Sequence, residues 1–354
     1  MKKKINFKLS TTQTIMLSFF LAILVGSVLL ALPISSANGE AVSYIDALFT
    51  ATTSICVTGL VTLPTVSTWS LFGQVVILIL IQIGGLGVIT IMSGFMISLH
   101  RKMGIKDRML IQDAFNLNTL SGIVKFIKKV LVGTFVVEGT GAILYMIVFV
   151  PEHGAKGIWI SIFNSISAFC NAGIDIISEN SLCDYALNPM INIVTSALII
   201  LGGIGYIVWW DVIRVIKDMR NKKLKCFSNL TLHSKIALSA TGVLIVVGAV
   251  VFFIFEYNNP LTMKDYSLFD KIQASLFQSV TTRTAGFATI PQQNLTNASA
   301  IVSLLLMFIG GSPVGTAGGV KTVTIAVLIF AAFATIKNKE DVVLFQRTDR
   351  KSVV

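Results

Sequence analysis

A chain of 354 residues that is 54% hydrophobic and only 13% charged, with mean hydropathy +0.81, is neither disordered nor an ordinary soluble domain. Burying that much apolar surface in water would need a core larger than single domains reach, so the composition points to a polytopic membrane protein. The net charge of +11 does not mark a nucleic-acid partner. Of the 28 Lys and Arg, 23 fall in Lys2–Lys8, Arg101–Lys129, Arg214–Lys235 and Lys337–Lys351, while acids such as Glu40, Glu152, Glu179, Asp184, Glu256 and Asp265 lie between them. Short loops biased in this way place the basic clusters, and the N-terminus, in the cytoplasm.

The apolar run Thr14 to Leu32 follows Lys2-Lys3-Lys4 as a signal peptide's would. Its 19 residues are enough to span, however, and it reads as a helix from about Thr12 to Leu32, ended by Pro33. A shorter half-apolar run, Tyr44 to Ser54, then leads into the polar turn Ile55-Cys56-Val57-Thr58-Gly59-Leu60. A long helix from about Trp69 to Leu99 follows, carrying Gly84-Gly85-Leu86-Gly87 and ending at His100-Arg101-Lys102. The basic linker Arg101 to Gly122 reads as an amphipathic cytoplasmic segment.

The same order then recurs. A helix from Ile123 to Val150, stopped by Pro151, precedes the short run Ile158 to Ala168 and the turn Phe169-Cys170-Asn171-Ala172-Gly173-Ile174. A long helix from Pro189 to Ile216 carries Gly202-Gly203-Ile204-Gly205. After the basic linker Lys217 to Lys235 come a helix from Leu238 to Phe255, the run Lys271 to Thr281 and the turn Thr282-Arg283-Thr284-Ala285-Gly286-Phe287. The last apolar segment, Ala298 to Ile336, holds five glycines and Pro313 between Gly310 and Lys321, too many to keep a straight helix. It reads as two half-helices around an intramembrane loop.

The turn glycines are 114 and 113 residues apart, so the spacing is a repeat. The predicted fold class is all-α and polytopic, with parallel helix–pore loop–helix units at 11–100, 121–218 and 231–338. The Gly-rich loop covers 310–321 and a cytoplasmic tail 339–354. Two crossings and one dip per unit make successive units parallel, related by an axis along the membrane normal. Backbone that dips into a bilayer without being helix or barrel is tolerated where it lines a watery path, so the three turns read as walls of one ion pore.

Rings of backbone carbonyls replace the water shell of a potassium ion, and glycine permits the angles that aim them inward. The turns mix residue types, which fits backbone rather than side-chain coordination. The candidate ion-binding residues are Val57, Thr58, Gly59, Asn171, Ala172, Gly173, Thr284, Ala285 and Gly286, with potassium held at their backbone. The candidate gate is Gly310, Gly311, Pro313, Gly315, Gly318, Gly319 and Lys321. The glycine clusters at 84 and 202 read as helix-packing positions. Lys321 either faces the pore or holds the loop closed, or else snorkels or pairs with an acid. Arg283 would repel cations in the pore, so it is expected behind the turn, paired with an acid for which Glu138 is the candidate; both count as filter support. Asp175 sits at the external mouth or caps its turn. No catalytic constellation is present: His100, His153 and His233 lack metal-ligand spacing, Gly315 to Lys321 does not fit a P-loop, and the four cysteines do not form a disulfide framework.

Val57-Thr58-Gly59-Leu60, Asn171-Ala172-Gly173, Thr281-Thr282-Arg283-Thr284-Ala285-Gly286-Phe287 and the Gly-rich break with Pro313 and Lys321 resemble the Trk/Ktr/HKT potassium transporters, most closely the bacterial KtrB-type subunit. The resemblance covers nearly the whole chain. It implies potassium uptake, often sodium-linked, with no cofactor, by a homodimer in the plasma membrane. It also implies a cytosolic nucleotide-binding RCK-type ring (KtrA-like) docked on the basic face. The alternatives are an alternating-access carrier of another cation or small solute, and a non-conducting scaffold subunit. The family has four units, and a fourth glycine at this spacing falls beyond Val354. The chain is therefore expected to be truncated, with three walls alone folding poorly or conducting without selectivity.

Overall fold

A computed structural model describes residues 10–99, 104–114, 121–222, 226–337, 342–344 and 347–349. The basic residues Lys2–Lys8, the His100-Arg101-Lys102 helix end and the stretch 350–354 lie outside these. The first helix, α1 (Thr11–Leu30), starts on a capping box: the Ser10 hydroxyl accepts the Gln13 N–H (3.2 Å) while the Gln13 side chain accepts the Ser10 N–H (2.9 Å). A short helix, α2 (Tyr44–Cys56), follows and ends at Val57, whose backbone turns left-handed. After the single turn α3 (Thr65–Thr68), the chain continues through α4 (Leu71–Leu86) and α5 (Val88–Ser98) into the linker helix α6 (Ile105–Ala114).

The order then repeats with α7 (Ile123–His153), α8 (Ala155–Phe169), α9 (Pro189–Gly203), α10 (Tyr206–Lys222) and the turn α11 (Cys226–Asn229). It repeats again with α12 (Leu232–Glu256), α13 (Leu268–Thr281), α14 (Asn297–Phe308) and α15 (Thr322–Ile336). A three-residue ladder closes the described chain, β1 (Val342–Leu344) antiparallel to β2 (Arg347–Asp349). Side-chain N-caps start most of the later long helices: Ser70, Asn188, Thr231, Ser267 and Thr296 each accept a first-turn N–H.

Among the described residues α1, α7 and α12 are single helices long and apolar enough to cross a membrane, and the pairs α4–α5 and α9–α10 pass the same test as broken spans. The outer helices carry their apolar residues outward, Phe20, Val25, Phe135, Ile143, Val246 and Ile254 among them, as a lipid environment requires. The short helices α2, α8 and α13 lie inside this shell with most of their last two turns buried. At 13 to 15 residues they are roughly 20 Å long, against a hydrocarbon core of about 30 Å, so none of them spans.

Three expectations need correction. The stretches Trp69 to Leu99 and Pro189 to Ile216 are not continuous helices: α4 and α5 meet at 97° and α9 and α10 at 100°. The bends fall on Gly87 (φ 81°) and Gly205 (φ 90°), backbone angles that a side chain would strain. Among the described residues the segment around Gly310–Lys321 is thus not alone: three apolar segments are interrupted. Pro151 does not stop α7, which runs on to His153 because a proline in the last turn interrupts only one ladder bond.

The packing reading of the glycine clusters holds. A Cβ on Gly84 would overlap the carbonyl of Ile55, and one on Gly202 the carbonyl of Phe169. Ile55 and Phe169 each stand four residues before the glycine of their turn, so the bent helices seat the ends of α2 and α8 in the same way. Gly202→Ala should therefore destabilise the protein by about 1–3 kcal/mol, the usual cost of overpacking. Gly139→Ala, with nothing within 4 Å of its new methyl, should not. Thermal unfolding of the two variants in lipid checks this; equal midpoints would refute the contact.

Candidate ion-binding site

The three turns share one backbone course. Val57 (φ 54°), Asn171 (φ 58°) and Thr284 (φ 65°) are left-handed, as are Gly59 (φ 74°), Gly173 (φ 64°) and Gly286 (φ 87°), while Thr58, Ala172 and Ala285 between them are not. Left-handed backbone is rare for a residue with a Cβ, so the same choice made three times at the same offset is a property of the site. Alternating handedness turns successive peptide planes the same way, so that N–H groups line one side and carbonyls the other.

The glycines meet. A Cβ built on Gly59 lies 2.8 Å from the Ala172 carbonyl oxygen and 3.5 Å from the Cα atoms of Gly173 and Gly286. One built on Gly173 lies 2.5 Å from both the Ala285 oxygen and the Gly286 Cα, and one on Gly286 is 3.0 Å from the Gly173 Cα. Residues more than a hundred positions apart in the chain therefore bring backbone carbonyls to one point. Their side chains turn elsewhere: the Asn171 amide oxygen accepts the Thr316 hydroxyl (3.1 Å) and the Thr284 hydroxyl accepts the Gly318 N–H (2.9 Å).

Those two bonds tie the turns to the non-helical segment between α14 and α15. It is closed at its base by a bridge between Ile309 and Val320, and it zips onto the α9–α10 bend. Ser312 N–H donates to the Gly203 carbonyl (2.8 Å), Thr316 N–H to Gly202 (3.0 Å), and Tyr206 N–H to Val314 (3.0 Å). The Thr316 hydroxyl also reaches the Phe169 carbonyl at 2.9 Å. Glycine is needed where backbones touch: a Cβ on Gly315 would sit 2.9 Å from the oxygens of both Gly202 and Gly203, and one on Gly310 would overlap the Gly318 carbonyl. The Pro313 carbonyl lies against Gly205, and Gly319 (φ 68°) approaches Gly310. Lys321 donates to the Ala317 carbonyl (2.7 Å) inside the same loop and forms no ion pair among the described residues. A cavity of about 430 Å³ opens beside the loop, lined by Gly84, Gly87, Val314, Thr316, Lys321 and, from α6, Asp113.

Arg283 and Glu138 do not pair, contrary to expectation. Arg283 is buried and donates to the Gly310 carbonyl (3.1 Å) and the Thr241 hydroxyl (3.4 Å). It thus braces the loop from behind, with carbonyl and hydroxyl oxygens in place of an acid. Glu138, 4% exposed, receives the Gln82 amide on both oxygens (3.1 and 3.2 Å) and faces the Cys170 thiol at 3.9 Å. Asp175 accepts the Ile177 N–H at 3.3 Å, the local bond of a turn cap. Sequence reasoning missed Gln82, Thr241 and Thr316. Gln82 alone had a visible cue, as an isolated polar residue in the apolar run before Gly84.

Short pore helices, glycine turns and flanking membrane helices define the class: a helical membrane protein built from helix–pore loop–helix repeats. The chain belongs to the TrkH cation transport protein family, whose pattern matches residues 1–351, and it is a transport protein rather than an enzyme. It is 42% identical to the potassium/sodium uptake protein NtpJ of Enterococcus hirae over 100% of this chain and 76% of that one. It is 39% identical to the Ktr system potassium uptake protein B of Bacillus subtilis, over 97% and 74%. The crystal structure of the potassium transporter TrkH from Vibrio parahaemolyticus superposes with a TM-score of 0.71 at 18% identity, over 96% of this chain and 64% of that one.

Proposed function

We propose that this protein takes up potassium across the plasma membrane through a filter of backbone carbonyls. The turns Val57-Thr58-Gly59, Asn171-Ala172-Gly173 and Thr284-Ala285-Gly286 replace the water shell of the ion. The units are 11–100, 121–218 and 231–338, the N-terminus is cytoplasmic, and uptake is sodium-dependent. The loop Gly310–Lys321 gates the path, Arg283 braces that loop, and Glu138 supports the second turn through Cys170. The protein works as a homodimer regulated by a cytosolic nucleotide-binding RCK-type ring on its basic face.

The observation that carries this reading is the convergence of three left-handed glycines with carbonyl oxygens between them. Carbonyl oxygens are the ligands a potassium ion takes in place of water. The names of the two relatives, both uptake proteins for potassium, support the choice of ion. The test is uptake by the full-length protein in cells lacking their own potassium uptake, and in liposomes. Growth at limiting potassium and concentrative potassium entry are expected. Entry that ignores potassium but follows another solute would overturn the reading in favour of a different carrier.

A further inference from the structure

Each pore helix carries a buried hydroxyl near its end: Thr53 and Ser167 six residues before the turn glycine, and Thr281 five before. The same residue grips its turn twice. Its carbonyl accepts the N–H of the residue just before the glycine: Thr58 to Thr53 (3.0 Å), Ala172 to Ser167 (2.8 Å) and Ala285 to Thr281 (2.9 Å). Its hydroxyl reaches the residue just after the glycine: Leu60 N–H donates to Thr53 Oγ1 (3.0 Å), Ser167 Oγ donates to the Ile174 carbonyl (2.5 Å), and Thr281 Oγ1 donates to the Phe287 carbonyl (2.6 Å). The glycine, the most permissive residue of the turn, is therefore held on both sides.

The three grips differ in polarity. Ser167 and Thr281 each donate to a carbonyl, that of Ile174 and that of Phe287. Thr53 instead accepts the Leu60 N–H and hydrogen-bonds the Thr58 hydroxyl (2.6 Å), which leaves the Leu60 carbonyl untouched by this hydroxyl and ties the Thr58 side chain back to the pore helix.

We propose that Thr53, Ser167 and Thr281 are positioning residues that set ion selectivity by clamping the turn glycines and deciding which carbonyls can face an ion. The inference rests on the carbonyl-filter reading. Removing the hydroxyl of Ser167 or Thr281 releases a carbonyl next to the glycine, and a looser ring of oxygens closes around a smaller cation at less cost. Thr53→Val instead strands the Leu60 N–H without releasing a carbonyl.

The experiment is the potassium-to-sodium uptake ratio of the full-length protein in liposomes, measured for Ser167→Ala, Thr281→Val, Thr281→Ser and Gly173→Ser at matched protein content. Ser167→Ala and Thr281→Val should each lower the ratio about tenfold, the equivalent of one hydrogen bond, while Thr281→Ser keeps the wild-type ratio. Should Thr281→Val fail to reach the membrane, Ser167→Ala, a smaller change, carries the same measurement. A wild-type ratio in the hydroxyl variants, with selectivity lost in Gly173→Ser, would overturn the clamp and leave the filter standing. A wild-type ratio in Gly173→Ser as well would overturn both.

Discussion

Replacing Gly173 by serine is expected to cost more potassium selectivity than the same change at Gly59 or Gly286. Two penalties act together. A residue with a Cβ at φ 64° carries backbone strain of about 1–3 kcal/mol. The new Cβ also lies 2.5 Å from both the Ala285 oxygen and the Gly286 Cα, atoms of the neighbouring turn that cannot rotate away as a side chain would. The strain is relieved only by moving the carbonyls from their places, so the relief appears as lost discrimination, roughly five- to hundred-fold in the potassium-to-sodium ratio. The nearest contacts, 2.5 Å at Gly173, 2.8 Å at Gly59 and 3.0 Å at Gly286, predict losses in that order. Ion-competition uptake in the full-length protein reads the ratio directly, and a wild-type ratio for Gly173→Ser would sink the filter assignment.

Deleting Ser312–Thr316 is expected to raise potassium flux on the order of tenfold or more. The deletion removes the Ser312 and Thr316 bonds to Gly203 and Gly202, and the hydroxyl bonds of Thr316 to Phe169 and Asn171. At about 1 kcal/mol for each backbone bond, and about as much for the one Thr316 hydroxyl proton, these hold the segment against the α9–α10 bend and the second turn, and the proposed gate loses them together. The deletion also strips Tyr206 N–H of its Val314 partner, which costs stability. Thr316→Val separates the two effects: it keeps the loop length and loses only the hydroxyl, so a smaller rise of about fivefold is expected. Flux from loaded liposomes, at equal protein content, is the measurement. Unchanged flux in both variants would mean that the loop does not gate.

What the sequence by itself determined is whatever one residue or one short run settles locally. The short helices begin at Tyr44, Ala155 and Leu268, within a few residues of where the half-apolar runs place them, because hydropathy and length are read along the chain. The three turn glycines stand out in the sequence, because the missing Cβ is a property of each residue before anything is folded around it, and in the structure they lie together.

The tertiary structure alone decided the rest. From the sequence, Gly84-Gly85-Leu86-Gly87 and Gly202-Gly203-Ile204-Gly205 read as close-packing positions within straight helices, but small residues permit a right-angled bend as well. The choice at Gly205 is made by Pro313 and Val314, more than a hundred residues away, whose carbonyls press on Gly205 and accept Tyr206 N–H. Arg283 and Glu138, two opposite charges in an apolar chain, invite a pairing on electrostatic grounds. The fold sets Glu138 against Gln82 and Cys170, and Arg283 against Gly310 and Thr241. A buried polar group needs hydrogen-bonding partners around it, and here a backbone carbonyl, a hydroxyl and an amide supply them where the sequence suggested a counter-charge. No periodicity or charge pattern marks which carbonyl that will be.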